Sequence, residues 1–557
     1  MDEQGLHKVP NILSRYPSLG ELNAIQLLTY CYCRPYCPQR NCTLVYIRYI
    51  LAVPDTPVNL GLGYGVEEDL AWINVLERDH LGYETVNGTR RLNPMTKSWV
   101  HPAYYMQQQI WLYHLENLDS VLQGAKPRVK EIGPFTFVEQ QWKSFYKFDQ
   151  NDTRVFYRTN HVFTFNSTLS CPTCSLKQKV ILPNVIFQKL VDFSSTSLPA
   201  KIAIEAILRV VGEAPFVNVT VREALFDGYH DPLIDLVCKR DILAQLCEML
   251  KIPQRIGFFY KQNNTDDGLY QVSTGLNEPW NIGQVHSFNN MSAFPESVWD
   301  SADAREIRGT DGQLFPPLLK EGGPIDIFAG PICRTVTMRF RKRSDFRNIA
   351  AFRYGFRSDI YDPNVPENRG YCNKNNTPAF FNTTVQIPGC LPKGLLDISR
   401  CLPASPRIYI SQPHFLHVHP AVISTVDGVR APDKRNDETF VDVEPITGVP
   451  IRANKLTQVN IGMTKGSLSI LPLMRNMIYP TLWINETAVF DDGTKQQLDG
   501  LMFAKHLTNV IGVTFLTIGL LGFFAIVASV VIYTVLKPRT EDEQPILQED
   551  AEEEIFK

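Results

Sequence analysis

The clearest hydrophobic pattern along the chain is an uncharged run near its C-terminal end. Leu507 to Leu536 is rich in Ile, Val, Leu, Phe and small residues, and it is bounded by His506 and Lys537. About twenty apolar residues suffice to cross a bilayer as a helix, and a core helix of a soluble protein is rarely apolar on every side over such a length. The pattern therefore predicts a transmembrane helix at 506–536.

Upstream of this run, hydrophobic and polar residues alternate in many short stretches that are separated by Pro, Gly and Asn. Examples are Arg154–Phe165, with the sequence RVFYRTNHVFTF, and the stretch that contains Val459, Ile461 and Met463. Alternation with a period of two is typical of half-buried strands. We therefore expect a mainly β domain at 96–505.

Two segments inside that domain follow a helical period instead. Apolar residues recur at i, i+3, i+4 and i+7 in Ile204, Ile207, Leu208 and Val211, and again in Leu243, Leu246, Cys247 and Leu250. Ser197 stands where it can cap the first of these helices. The predicted fold class is α+β, with a helical insertion at 185–252.

The charges around the apolar run set its orientation. Lys537 and Arg539 follow it directly, and basic residues of this kind mark the cytoplasmic end of a span. Residues 537–557 carry eight acidic and three basic side chains, a net charge of −5, so the formal charge of −3 leaves +2 for the rest. A near-neutral ectodomain gives no electrostatic footprint for nucleic acid, and the acidic tail is typical of a solvated cytoplasmic segment.

Sequons for N-glycosylation support this orientation. Ten Asn-X-Ser/Thr sequons precede the span and none follows it, which indicates a lumenal or extracellular domain. The acceptors are Asn41, Asn87, Asn151, Asn166, Asn218, Asn263, Asn290, Asn375, Asn382 and Asn485.

Twelve cysteines in such an oxidising compartment should mostly pair, although sequence alone leaves their connectivity open. Cys171 and Cys174 have the spacing of a redox motif, but no βαβ pattern surrounds them. A local structural disulfide is therefore the stronger interpretation. Cys238 and Cys247 lie on or near apolar helix faces, where we expect buried thiols.

The candidate chemistry of the chain is sparse. His414, His417 and His419 lie within PHFLHVH, and on a strand the last two would share one face. Imidazole binds zinc, but no acid or cysteine ligand accompanies them, so we expect packing or surface histidines and no metal site. No HExxH, nucleophile elbow or P-loop occurs, and the glycines at 61, 63 and 65 lack a dinucleotide-binding context. We expect no enzyme activity and no cofactor.

Eight motifs then occur in order along most of the chain. They are KPRVKEIGPFTF (Lys126–Phe137), VREALFDGYHDPL (Val221–Leu233), GFFYKQNNTDDGLY (Gly257–Tyr270), GTDGQLFPP (Gly309–Pro317), GLLDISRC (Gly394–Cys401), YISQPHFL (Tyr409–Leu416), ETFVDVEPITG (Glu438–Gly448) and LWINET (Leu482–Thr487). Together they resemble the class B scavenger receptor family over roughly 100–536.

The resemblance implies an antiparallel, β-barrel-like ectodomain at 96–505, pierced by a hydrophobic tunnel and topped by an apical helical bundle at 185–252. It implies the disulfide pairs Cys333–Cys401 and Cys372–Cys390. Its implied partners are the membrane, lipids, sterols and lipoproteins. The family has two membrane anchors, whereas residues 1–95 contain no apolar run that matches the first, so we expect an atypical N-terminal region.

The tail suggests a location. Asp542, Ile546 and Leu547 resemble the acidic dileucine signals that clathrin adaptors bind, as in the lysosomal member of the family. The first hypothesis is therefore a receptor of lysosomal or late endosomal membranes that passes sterol or fatty acid through its tunnel. One alternative is a trafficking receptor that carries a lysosomal hydrolase on its apical helices. Another is a plasma-membrane scavenger or adhesion receptor.

Overall fold

The computed structural model describes residues 51–53, 56–58, 80–238, 247–248, 252–373, 387, 389–471 and 473–536. The strands in this part of the chain are β1 (Leu51–Val53), β2 (Thr56–Val58), β3 (Tyr83–Val86), β4 (Thr89–Leu92), β5 (Tyr105–Leu115), β6 (Val129–Phe148), β7 (Arg154–Phe165), β8 (Lys179–Pro183), β9 (Phe216–Thr220), β10 (Thr265–Asp266), β11 (Tyr270–Ser273), β12 (Val285–Phe288), β13 (Pro324–Ala329), β14 (Arg334–Phe346), β15 (Ile349–Gly355), β16 (Leu396–Asp397), β17 (Ile408–Ser411), β18 (Phe440–Val443), β19 (Pro450–Met463) and β20 (Met477–Val489). The α-helices are α1 (Pro94–Val100), α2 (Leu118–Leu122), α3 (Val185–Ser194), α4 (Leu198–Val211), α5 (Pro232–Cys238), α6 (Ala302–Arg305), α7 (Pro420–Ile423), α8 (Lys434–Asp437) and α9 (Asp492–Leu536).

One large antiparallel sheet dominates the fold. Its strands follow the order β12, β11, β7, β6, β5, β20, β19, β18, β15, β14 and β13, with β10 beside β7 and the pair β16 and β17 beside β19. The two edges approach each other through one short segment. Val285 N donates to Gly309 O at 2.8 Å, and Thr310 N donates to Asp326 O at 2.9 Å. The sheet is therefore nearly closed, and the predicted mixed class with a large antiparallel sheet is confirmed.

The alternating stretches of the sequence form strands as predicted. The stretch Arg154–Phe165 is β7, and Val155, Tyr157 and Thr159 are buried along it at every second position. Val459, Ile461 and Met463 lie within β19. These agreements follow from the period of two, because a strand turns successive side chains to opposite faces of the sheet.

The first predicted helix is also present. α4 contains Ile204 to Val211, its N-cap Ser197 accepts a hydrogen bond from Ala200 N at 3.3 Å, and Leu208 is buried. The insertion is not wholly helical, because the strand β9 interrupts it. A π-helical turn follows at Glu223–Asp227. For the second predicted helix, Leu243, Leu246 and Leu250 lie outside the described residues.

α3 and α4 lie at the end of β19 and β20 that is opposite to α9. Gln188 of α3 exchanges two hydrogen bonds with Thr464, just beyond the end of β19, at 2.9 and 2.8 Å. Glu205 of α4 accepts hydrogen bonds from the backbone and hydroxyl of Ser469 at 2.7 and 2.6 Å. We call this the distal end of the sheet. An apical helical bundle at this end stays a prediction.

The C-terminal helix begins earlier than its apolar run. Asp491 caps α9 by accepting hydrogen bonds from Gly493 N and Thr494 N at 3.1 and 2.9 Å. Leu498 is buried against Phe490 and the neighbouring strands, whereas the apolar side chains from Leu507 onward are exposed except for the half-buried Leu516. The charge-free run marks only the part that can enter lipid, and the preceding turns pack on the sheet. Within the described residues, α9 is the one helix long and apolar enough to cross a membrane.

Four disulfides tie the described parts together. Cys333–Cys401 and Cys372–Cys390 have the pairing that the resemblance implies, and Cys171–Cys174 is a local bridge. Cys238 and Cys247 also form a disulfide, so the expectation of free thiols there is wrong. The chemistry is consistent with an oxidising compartment, because two nearby thiols are oxidised there even when they stand on apolar faces.

A buried ion pair joins two neighbouring strands of the sheet, β15 and β18. The guanidinium of Arg353 on β15 donates to both oxygens of Asp442 on β18, at 2.7 and 2.6 Å, and Asp442 is 0% exposed. Arg343 on β14 makes the same two-bond contact with Glu321, at 3.0 and 2.6 Å, but Arg343 is 76% exposed. The two pairs share a geometry and differ in their contact with water.

We expect Asp442→Asn to lower the free energy of unfolding by about 3 kcal/mol, because it leaves a partly buried guanidinium without its counter-charge. Glu321→Gln is the matched control and should change the same quantity by less than about 0.5 kcal/mol, since exposed pairs contribute little. Denaturant unfolding of the purified protein measures both. Equal effects of the two substitutions would contradict this account.

Candidate functional site

The inside of the sheet is a cavity of about 1720 Å³. Its lining runs from Leu182 and Tyr229 at the distal end to Thr494 and Leu501 in the first turns of α9. Ligand pockets are typically about 300 to 1,000 Å³, so this cavity can hold a molecule larger than an ordinary cofactor. It extends along the strands from one end of the sheet to the other.

The number of strands explains why the interior stays open. Side chains fill a closed sheet of about eight strands, whereas wider sheets leave a lumen. Small residues at inward positions keep further space, among them Ala453 on β19 and Ala488 on β20. Towards the distal end the inward positions become large and apolar, with Phe135, Ile110 and Leu482 in one buried cluster.

A row of polar side chains crosses this lining on five neighbouring strands. Its members are Lys455 on β19, Glu486 on β20, Gln108 on β5, Glu139 on β6 and His161 on β7, and all five line the cavity. In the sheet register Lys455 is opposite Glu486, and Glu486 is opposite Gln108. We call these five residues the polar belt. It lies between the apolar distal part of the cavity and the start of α9.

The charged members of the polar belt are paired with each other or with one neighbour. Lys455 Nζ lies 2.6 Å from Glu486 Oε2. His161 Nδ1 lies 2.7 Å from Glu139 Oε1, and its Nε2 lies 3.8 Å from Asp267 Oδ2. Burial alone would lower the pKa of His161, but hydrogen bonds and charges from Asp267 and Glu139 raise it to about 9. His161 is therefore a cation at neutral pH.

Lys455 lies inside the sheet, yet much of its side chain is exposed. Its side chain is 55% exposed, and that exposed surface faces the cavity that it lines. Burial lowers the pKa of Lys455, but the charge of Glu486 and its hydrogen bond more than offset this and leave the pKa raised. A lysine that enters an apolar lumen thus keeps its charge because its partner enters with it.

Another charged group, Lys143 on β6, lies beside the polar belt and contacts β7. Lys143 donates to Thr159 Oγ1 at 3.0 Å and lies over the rings of Trp99 and Tyr157, at 5.0 and 4.8 Å from their centroids. Burial lowers the pKa of Lys143 to about 8, although Asp311 opposes the shift. Tyr157 donates a hydrogen bond to Asp311, whose pKa is raised by burial.

Two carbonyl oxygens along the lining have no hydrogen-bond partner among the described residues. They are Oε1 of Gln108, in the polar belt, and Oε1 of Gln412, which follows β17. Gln108 is 3% exposed and Gln412 is 4% exposed. A buried acceptor without a donor destabilises a protein by about 1 to 3 kcal/mol. Neither oxygen has surface that a molecule in the cavity can reach, so each is a cost to the folded state and not a ligand contact.

The first turns of α9 close the other end of the cavity. Thr494, Gln497 and Leu501 line it, and their spacing of three and seven residues puts them on one face of the helix. Leu498 lies on the same face and also lines the cavity, and it is buried against the sheet. The helix that is long and apolar enough to cross a membrane is thus also part of the cavity wall.

The three histidines of PHFLHVH are not on a strand, so the expected shared face is wrong. The segment forms a 3₁₀ turn at Pro413–Phe415 and then the short helix α7, capped by His419, and His414 and His417 have positive φ angles of 54° and 64°. His414 is buried, with Nδ1 3.0 Å from Asp437 Oδ1 and Nε2 3.2 Å from Glu131 Oε2. His414 therefore joins β6 to α8 through two carboxylates.

Seven of the ten predicted glycosylation sites lie among the described residues. Five sequon asparagines are exposed, and two are half-buried. The exposed ones are Asn87, Asn151, Asn218, Asn263 and Asn290, and the half-buried ones are Asn166 and Asn485. Asn41, Asn375 and Asn382, the tail residues Asp542, Ile546 and Leu547, and the glycines at 61, 63 and 65 lie outside the described residues. Glycosylation stays a prediction.

Sequence reasoning missed the polar belt. The available signal is a charged residue that shares a strand face with apolar residues two positions away. Examples are Phe137 followed by Glu139, and Ile484 followed by Glu486. Alternation marks a strand but leaves open which face is inside. Without that knowledge a charge at an inward position looks like an ordinary exposed residue.

A pair of carboxyl groups lies near the distal end of the cavity. Asp231 caps α5 by accepting hydrogen bonds from Leu233 N and Ile234 N at 3.0 and 3.1 Å. Glu213, just after α4, accepts a hydrogen bond from Asn184 at the start of α3. The two carboxyl groups interact, because the charge of Asp231 adds to burial in raising the pKa of Glu213.

Comparison with known proteins adds a family match. A model of the CD36 family matches residues 80–530. Lysosome membrane protein 2 of Mus musculus is 28% identical over 446 residues, which cover 79% of this chain and 85% of that protein. Sensory neuron membrane protein 1 of Helicoverpa assulta is 28% identical over 448 residues, covering 76% and 81%. Sensory neuron membrane protein 2 of Aedes aegypti is 25% identical over 523 residues, covering 82% and 95%.

The carboxyl pair makes the protein more stable in acid. Burial and the charge of Asp231 raise the pKa of Glu213 to about 7, and burial raises the pKa of Asp231. The other titratable groups around the pair are Tyr229, Asp235 and His230. An unfolded glutamate has a pKa of about 4.3. The folded state therefore binds the extra proton between these values, and its stability falls as the pH rises through 7.

Glu213→Gln should reduce the fall in thermal midpoint between about pH 5.5 and about pH 8, because an amide can donate to Asp231 at either pH. The control is Glu223→Gln, since the pKa of Glu223 is lowered by hydrogen bonds from Thr220 and its carboxylate is ionised throughout. That variant should keep the pH dependence of the parent. An undiminished fall in Glu213→Gln would contradict proton uptake by this carboxyl pair.

Proposed function

This chain belongs to the CD36 family of membrane receptors, as its motifs predicted, and from that premise we propose that its cavity carries lipid between the lumen and the bilayer. The observation that carries the proposal is the extent of the cavity, which reaches from the distal end of the sheet to Thr494 and Leu501 of α9. An apolar molecule that enters at the distal end has a lined route to the membrane helix.

The physical driving force is the transfer of apolar surface out of water. Each buried CH₂ group stabilises a bound lipid by about 0.8 kcal/mol, and the distal lining offers Phe163 and Ile484 for such contact. Sterols and fatty acids, the cargo expected from the sequence, satisfy this requirement. The polar belt is then either a barrier to lipid movement or a site where the lipid pauses, between the apolar distal part of the cavity and α9.

The proposed location is the lysosomal or late endosomal membrane. Support comes from the tail residues Asp542, Ile546 and Leu547, with clathrin adaptors as the proposed partners, and from the similarity to a lysosome membrane protein. The acid-favoured pair of Glu213 and Asp231 suits such a compartment. Similarity to sensory neuron membrane proteins keeps the plasma-membrane receptor as an alternative.

A second candidate function is the carriage of a soluble hydrolase. It is favoured by exposed apolar side chains on α4, where Leu198, Ile202 and Val210 face solvent. Exposed apolar groups of this kind are typical of contact surfaces for other proteins. This candidate uses the outside of the distal end, whereas lipid transport uses the inside, so both functions can exist in one chain.

Ala488→Trp should slow lipid transport by about tenfold or more, because the indole fills the cavity between the polar belt and α9. The matched control is Ala350→Trp, at an exposed position of β15. The measurement is the rate at which a fluorescent sterol passes from a soluble carrier into vesicles that contain the full-length protein. Transfer at the parent rate in Ala488→Trp would exclude the cavity as the route.

Replacement of Ile546 and Leu547 by Ala should move the protein from endolysosomes to the cell surface, because adaptors bind the two branched side chains together with the acid before them. Ile555→Ala makes the same kind of change elsewhere in the tail and should leave the distribution unaltered. Surface biotinylation quantifies both. An unchanged distribution would support the plasma-membrane alternative.

A further inference from the structure

We infer that His414 is a pH-sensitive latch, whose protonated ring holds residues 413–437 against the sheet and whose deprotonation releases them. The inference does not depend on the proposed lipid transport. It follows from the strained backbone of the turn that carries His414 and from the charged groups that meet around its ring.

The backbone of this turn is unusual. Three residues within four positions have left-handed φ angles, which are 54° at His414, 59° at Phe415 and 64° at His417. A residue with a Cβ atom is disfavoured in this region, most of all a bulky one such as Phe. Such a backbone persists only where the surrounding contacts enforce it. The turn therefore needs a restraint that keeps it closed.

The contacts of His414 supply this restraint. Its backbone N donates to Gln458 Oε1 at 2.7 Å. Its Nε2 lies 3.2 Å from Glu131 Oε2, and its Nδ1 lies 3.0 Å from Asp437 Oδ1. The residue is only 1% exposed. One buried side chain thus joins the turn to β6 and α8, while its backbone joins the turn to β19.

The charged groups around His414 balance only while its ring carries a proton. Glu131 faces the ring from β6, and Asp437 faces it from α8. Arg430 donates to both oxygens of Asp437, at 3.0 and 2.5 Å. The carboxylate of Asp433 turns instead to the N-terminus of α8, which it caps. Two carboxylates and two cations therefore cancel with a protonated ring, whereas a neutral ring leaves a net negative charge in a buried place, which is costly.

The neighbours of His414 on β5 and β20 add no charge. Tyr113 on β5 donates to the Gln458 oxygen at 3.4 Å, and burial and the charge of Glu131 raise its pKa well above the usual value, so it stays neutral. Trp483 on β20 meets the imidazole edge to face, with 5.0 Å between the ring centroids. The balance of charge thus depends on His414 itself.

The direction of the pH effect follows from the same contacts. Burial alone would lower the pKa of His414, but the carboxylates of Asp437 and Glu131 more than offset this and leave the pKa raised. In a released segment the ring is in water, where the pKa of histidine is about 6.5. The closed segment therefore binds the proton more tightly. Acid favours closure, and its stability falls as the pH rises through the raised pKa.

The latch lies next to the wall of the cavity. Ile410, Ser411 and Gln412 line the cavity at the end of β17, and the turn begins at Pro413 directly after them. β17 has only four residues, so its position depends on the segment that follows it as well as on its pairing with β19. Acid should therefore hold this part of the wall in place, and release of the latch should loosen it.

The test is hydrogen exchange of the full-length protein in detergent, over a series of pH values from about 5.5 to about 9. Observed rates are divided by intrinsic rates to give protection factors. The reporters are the amides of Leu416 and Val418, which donate within the turn to Pro413 and Phe415 at 3.0 Å. We expect their protection to fall about tenfold or more across the series, because one unit of pKa difference changes the ratio of closed to open segment tenfold. Equal protection throughout would overturn the latch.

Two matched substitutions in the same turn assign the effect to one ring. His414→Gln keeps a polar side chain that cannot take up the proton, so protection of the turn should be low at every pH. His417→Gln is the control, because burial and the charges of Lys434 and Lys393 lower the pKa of His417, and its protonation cannot stabilise the folded state. That variant should keep the fall of the parent. A fall of the parent's size in His414→Gln would exclude His414 as the latch.

A substitution of one carboxylate changes the midpoint of the fall. Glu131→Gln leaves the ring with Asp437 alone, so the pH at which protection falls should shift downward by about one unit or more. An unchanged midpoint would contradict titration of His414 between the two carboxylates. The amides of β19 and β20 report on global unfolding. If His414→Gln lowers their protection as well, the midpoint of Glu131→Gln decides between a latch and a merely structural histidine.

Discussion

Closure of the large sheet is the constraint on which the other features of this molecule depend. The path of eleven strands would present two open edges if β12 and β13 were not joined through Gly309 and Thr310. Open edges leave rows of unpaired backbone groups. Once closed, a sheet of this width encloses more space than its own side chains fill. The cavity is therefore a consequence of the topology, and the sequence only determines what lines it.

The lining shows how charges can exist in such a lumen. A single lysine would lose hydration whenever an apolar molecule filled the cavity, and its pKa would fall, as burial lowers that of Lys143 to about 8. Lys455 and Glu486 approach to 2.6 Å, so the removal of water weakens their hydration and strengthens their attraction at the same time. Paired charges thus tolerate both a wet and a lipid-filled lumen.

Much of the fold could be predicted from the sequence, and the limits have physical causes. The period of two gave β7 its bounds, and the helical period with Ser197 gave the start of α4. The apolar run identified the exposed part of α9 but not its first turns, because Leu498 packs on the sheet among polar neighbours. The helical insertion concealed β9, whose five residues are too few for a period to be distinguished.

The site was harder to predict than the fold, because it depends on which strands become neighbours. Gln108 and Glu486 are far apart in sequence and stand opposite each other only through the pairing of β5 with β20. His414 shows the opposite error, since a local cluster of histidines suggested a shared strand face, but positive φ angles at His414 and His417 prevent an extended strand there. Local pattern predicts elements, whereas the register between distant strands decides which side chains meet inside the cavity.

The connection between cavity and membrane lies in the dual role of α9. Its first turns line the lumen through Thr494 and Leu501, while its later residues carry the exposed apolar surface. A helix is stiff over several turns because each residue is bonded to the next turn. A lipid that reaches Leu501 is therefore beside an element that continues directly towards the bilayer. α9 is thus both the candidate membrane span and part of the cavity wall, so under the proposed lipid transport changes in its first turns should affect lipid passage even when the span is intact.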